Sequence, residues 1–193
     1  GAPLTRFGSS SGISFSAMVR PHDKAADADA ESLHTQTRQV FVVEGGANAA
    51  ATAEIAEQIL PIWQKRWKES LPGLILVHER LHSCLVDHLR LRILDHEPVL
   101  IRPGQSQSLA DSMHAALDGG ATLIAGGRKS GPLDWQPTLF VNVSMTSALL
   151  QAGAATGPVL AVLRTAACNP TSAVLGHLTD QSLEVHYPAS DGA

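Results

Sequence analysis

Short apolar runs, each halted by a turn residue or passing into a stretch of helical period, constrain this chain more than any other feature. Val40-Phe41-Val42-Val43 stops at Gly45-Gly46, and Leu74-Ile75-Leu76-Val77 passes directly into the next stretch. Runs of this length without polar alternation read as buried strands. Further strands are expected over residues 122–125, 138–143 and 159–163. Between them, residues 49–69 place Ile55, Ile59, Ile62 and Trp63 at helical spacing, with Pro61 expected to kink or break the helix. Residues 78–94 gather Leu81, Leu85, Val86 and Leu89 on one side. Another helix spans 106–119, stopped by Gly119-Gly120, and a last one is expected around 146–152. This alternation predicts an α/β fold with a mainly parallel sheet covered by helices. Residues 1–39 read as a flexible or irregular lead-in. Within it, the acidic and Ala-rich tract at 23–31 is either a loop or a short exposed helix. Residues 40–193 read as one domain without internal repeats.

Composition narrows the function. The chain has 193 residues and a formal charge of −4, with 44% hydrophobic and 17% charged residues, which is globular and not disordered. A mild acidic excess argues against nucleic acid or an anionic membrane as partner. Aromatic content of 4% leaves few rings for stacking bases. Cys84 and Cys168 are too few for a disulfide framework, and a reducing cytoplasmic setting suits them. No run approaches the roughly 20 apolar residues of a membrane helix, and the opening residues do not read as a signal segment.

Four segments in order resemble the catalytic half of the aldehyde dehydrogenase superfamily. They are Val43-Glu44-Gly45-Gly46-Ala47-Asn48, Leu76-Val77-His78-Glu79, the stretch from Gly120-Ala121 to Gly126-Gly127, and Pro137-Thr138-Leu139-Phe140 with Gly157-Pro158-Val159. The resemblance covers about residues 40–165. Arg6-Phe7-Gly8-Ser9-Ser10-Ser11-Gly12 resembles the end of that family's cofactor domain, most of which is then expected to lie before residue 1. The family's chemistry implies a cysteine thiolate attacking an aldehyde, hydride transfer to a nicotinamide, and a glutamate activating water.

Matched on Gly45-Gly46, the position of that glutamate holds Val43, and Glu44 follows on the opposite strand face. The nucleophile position falls near Glu69, within Lys68-Glu69-Ser70. The segment where the family holds the nicotinamide ribose with a glutamate and a phenylalanine reads Ala154-Ala155-Thr156. The pattern keeps scaffold residues such as Pro137 and Pro158 and lacks the reacting groups. The expectation is a pseudoenzyme: a non-catalytic domain for protein interaction, oligomerisation or scaffolding within a larger protein, with no cofactor and with a second copy or another protein domain as partner. An NAD(P)-dependent aldehyde oxidoreductase completed by a missing cofactor domain is the alternative.

Other constellations carry chemistry of their own. His78-Glu79-Arg80-Leu81-His82 matches the His-Glu-x-x-His zinc motif, so a zinc hydrolase using His78, Glu79 and His82 is a remote alternative. Leu85 stands where the longer motif needs a turning glycine, which leaves His88 about 15 Å along an unbroken helix from His78. Glu44 is either a displaced base or a strand-end carboxylate, and Cys84 a reactive thiol or a packed small residue. Gly8 to Gly12 is either a phosphate cradle or a flexible start. Trp63 and Trp67, with Lys65, Arg66 and Lys68, form either a docking stripe or core with a solvated basic face. No residue is assigned as catalytic, cofactor-binding or metal-ligating.

Overall fold

The computed structural model describes residues 16–19, 36–46, 48–151, 153–166 and 171–188. In chain order the elements are β1 (Ser16–Val19), β2 (Thr37–Val43), α1 (Thr52–Gln64), β3 (Leu71–His78), α2 (Glu79–Leu94), β4 (Val99–Leu100), α3 (Gln105–Asp118), β5 (Thr122–Ala125), β6 (Asp134–Trp135), β7 (Thr138–Val141), β8 (Val159–Thr165), α4 (Thr171–Gly176) and β9 (Ser182–His186). Seven strands make one sheet in the order β1-β9-β2-β3-β8-β7-β5. The pairs from β9 through β7 are parallel, and β1 and β5 add antiparallel edges. β4 and β6 form a small separate ribbon. The α/β class and the mainly parallel sheet are those expected.

Both faces of the central strands are covered, which is why their sequences are apolar without alternation. Phe41, Val43, Ile75 and Val77 point toward α1 and α2, where Ile55, Ile59, Trp63, Leu85 and Leu89 meet them. Their strand neighbours Val40, Val42, Leu74 and Leu76 point the other way, onto Leu109 and Met113 of α3 and Val174 of α4. Pro137 and Pro158 sit immediately before β7 and β8, and the Thr138 N–H donates to the Pro158 carbonyl at 2.8 Å. Gly126 and Gly127 turn the chain at φ +74° and +76°, and a Cβ on Gly126 would collide with the Pro137 carbonyl.

Four local expectations change. Residues 146–151 are successive tight turns instead of a helix. Ser147 N–H donates to the Ser144 carbonyl and Leu150 N–H to the Ser147 carbonyl, while the Ser144 and Ser147 hydroxyls accept from Thr146 and Leu149 N–H. Such side-chain acceptors compete with the helical bonding pattern. Ala152 lies outside the described residues. α1 runs through Pro61, which occupies an exposed position, so water can satisfy the carbonyl that loses its donor. β7 ends at Val141 because Asn142 takes the left-handed conformation, φ 55°. Within 1–39, Ser16–Val19 and the beginning of β2 are strand; the tract at 23–31 lies outside the described residues.

Candidate functional site

Parallel strands give the sheet two chemically distinct ends, and the expected site residues divide between them. At the carboxyl end, β2 finishes at Val43, next to Glu44 and the Gly45-Gly46 turn, while β3 finishes at His78. At the amino end, Thr37 begins β2, Ser70 immediately precedes β3, and Thr156 lies just before β8. Seven strand residues separate the two ends, about 20 Å. Val43 and Glu44 therefore cannot act on anything held at Glu69. Matching the chain on Gly45-Gly46 carries the expected base to the far end of the strand.

Glu69 and Thr156, expected from the nucleophile and ribose-clamp positions, do meet. They line a cavity of about 290 Å³ with Gln36, Thr37, Arg66, Ser70, Arg102 and Gln105. Open α/β sheets usually place ligands at the carboxyl ends of their strands; this cavity opens at the amino ends. Its frame is hydrogen-bonded: Gln105 Oε1 accepts from the Thr156 N–H at 3.0 Å, and Arg66 holds Glu184 at 2.8 Å. Ser70 is 5% exposed, and its Oγ has no hydrogen-bond partner among the described residues. Arg102 and Glu69 have no ion-pair partner among them either. No cysteine is among the described lining residues.

Beside the cavity, Arg38 is fully buried and ties several segments together. Its guanidinium donates to Gln181 Oε1 at 2.8 Å, to the Pro72 carbonyl, and to the Gln151 carbonyl at 3.3 Å. Burial pushes its pKa down to about 10, partly opposed by Asp180. Sequence reasoning missed Arg38, Arg102 and Gln105. An arginine leading into the apolar run Val40–Val43, and the Arg102-Pro103-Gly104 lead into a helix, were the available signals.

The remaining candidates lie elsewhere. His78 is the N-cap of α2, its Nδ1 accepting from the Arg80 N–H at 3.3 Å, so it does not share a helical face with His82. His82 is buried with its Nε2 unpartnered among the described residues, and burial, then Arg164, lowers its pKa. His88 sits further along the unbroken helix. Among the described residues no cluster of three or more His, Cys, Asp or Glu is placed to hold a metal ion. Cys84 lies half-buried on α2; Cys168 and the Gly8–Gly12 stretch lie outside the described residues. Trp63 is fully buried in the core, with Trp67 edge-on at 5.1 Å, while Lys65, Arg66 and Lys68 are exposed. The tryptophans are core, and the basic residues beside them form a solvated face.

No protein-family model matches the chain, and no curated protein matches its sequence. Solved structures do match its fold, which is that of aldehyde dehydrogenases. An aldehyde dehydrogenase from Bacillus cereus, solved with NAD+, superposes at TM-score 0.59 and 18% identity, over 78% of this chain and 33% of its own. A NAD-dependent benzaldehyde dehydrogenase from Corynebacterium glutamicum matches at TM-score 0.57 and 16% identity, over 81% and 35%. Succinate-semialdehyde dehydrogenase from Burkholderia pseudomallei matches at 0.55 and 13%, over 82% and 39%. The chain thus carries an aldehyde-dehydrogenase-like fold and spans between a third and two fifths of the length of these enzymes. Among the described residues no helix is long and apolar enough to cross a membrane.

Proposed function

We propose that this chain is a non-catalytic, aldehyde-dehydrogenase-like domain that acts through protein association, as part of a larger cytoplasmic protein. One observation carries the reading: the position expected for the nucleophile is Glu69, which among the described residues lines the amino-end cavity with hydroxyl, amide and guanidinium side chains and no thiol. A carboxylate there cannot form the thioester on which the family's chemistry runs. Opposite the family's ribose clamp, Thr156 offers neither carboxylate nor ring. The association partner is a second copy of the chain. Among the described strands β5, which carries the exposed Leu123, pairs only with β7 and leaves an open edge, and antiparallel pairing of such an edge is self-complementary about a two-fold axis.

An electrophilic aldehyde analogue that traps active-site thiols, followed by peptide mass spectrometry, tests the chemistry. No adduct is expected within the cavity. A stoichiometric adduct on Cys84 or Cys168, protected by an aldehyde substrate, would instead support an NAD(P)-dependent oxidoreductase completed by another chain. Light scattering tests the association: a concentration-dependent dimer is expected, weakened by Leu123→Lys, and a monomer throughout the micromolar range contradicts it.

A further inference from the structure

We propose that the amino-end cavity binds a small zwitterion of the amino-acid class, with the ligand's carboxylate on Arg102, its ammonium on Glu69, and a hydrogen bond to Ser70. This goes beyond the non-catalytic reading and does not depend on it. Arg66 is already committed to Glu184 at 2.8 Å. That leaves one guanidinium and one carboxylate lining the same cavity, paired neither with each other nor with any other described residue. A ligand of single charge would satisfy one and repel the other; a molecule with both charges satisfies both. Ser70 supplies an independent indication. Its hydroxyl is 95% buried yet unpartnered, a state that costs free energy unless a ligand or water completes it. The volume of about 290 Å³ lies at the small end of ligand sites and suits a compact metabolite better than a dinucleotide.

Calorimetric titration of the intact chain with ω-amino acids, from glycine to 6-aminohexanoate, tests the assignment. Hexanoate, hexylamine and inorganic phosphate serve as controls that carry charge of one sign. Saturable binding is expected for one chain length, and Arg102→Gln and Glu69→Gln should each weaken it about tenfold or more. Both are exposed positions, so thermal unfolding should be unaltered. Ser70→Ala should weaken binding by less. Absence of saturable binding across the series, equal binding of hexanoate or phosphate, or indifference to both charge substitutions overturns the proposal. None of these outcomes bears on aldehyde turnover, so its failure is distinguishable from failure of the non-catalytic reading.

Discussion

Replacing Arg38 with methionine should destabilise the domain by about 2 kcal/mol. Among the described residues Arg38 has no buried anion beside it; three neutral acceptors hold it, on Gln181, Pro72 and Gln151. A hydrogen bond to a charged group is worth about 1.5–3 kcal/mol, and losing the donor leaves its acceptor stranded. Two firm bonds and a longer third therefore represent about 5 kcal/mol. Against this stands the cost of burying the guanidinium, on the order of 3 kcal/mol for an ion in a relaxed protein interior, and burial is also the first cause of the fall of its pKa to about 10. Methionine fills much of the same volume and removes that cost, so the difference is what unfolding should report. Because Pro72, Gln151 and Gln181 stand on separate segments, the loss also loosens the amino ends of β2, β3 and β9, where the cavity opens. Urea unfolding at pH 7 measures the effect as a lower midpoint at unchanged slope. A variant as stable as the parent, or more stable, refutes the claim that the hydrogen bonds outweigh the desolvation. Gln181→Leu should then show a smaller loss of its own, non-additive with Arg38→Met because the two share a bond.

Three further outcomes follow from the same packing. Gly126→Ala should abolish folding or lower the melting temperature severely, since its φ of +74° and the Pro137 carbonyl both exclude a side chain; thermal unfolding by circular dichroism reads this. His82 and His186 are buried with lowered pKa, burial being the first cause in each. The unfolded chain binds protons that the folded one refuses just below pH 6.5, so stability should be full above that value and fall as pH drops through it. Replacing either histidine with a neutral residue should flatten the acid side of a urea-midpoint profile. Glu69→Cys should not oxidise aldehydes in a reduced-cofactor assay, because a nucleophile without its base and clamp is one part of a unit whose effects are far from additive.

The central strands were legible because burial on both faces leaves apolar runs such as Val40-Phe41-Val42-Val43, and the α2 and α3 limits because a strand end and Gly119-Gly120 mark them. β9 escaped notice: Ser182-Leu183-Glu184-Val185-His186 alternates, and its polar members are held by tertiary partners such as Arg66 and Phe41. The turns at 144–151 looked helical because Leu149 and Leu150 are buried, while nearby serines redirect the backbone. At the site, motif spacing located Glu69 and Thr156, which share a cavity although they belong to different strand connections. Glu44, read as a displaced base or a strand-end carboxylate, stands exposed at the strand end, and a strand followed by two glycines says nothing about which end of the sheet a pocket occupies. Arg102 and Gln105 reach the cavity through the placement of α3, which periodicity alone does not specify.

Calorimetry with NAD and NADP at millimolar concentration, run beside a turnover assay over short and long aldehydes, tests the central claim most directly. A non-catalytic domain predicts no saturable cofactor heat and no reduced cofactor with any aldehyde, whereas saturable binding together with cofactor reduction by the unmutated chain contradicts it.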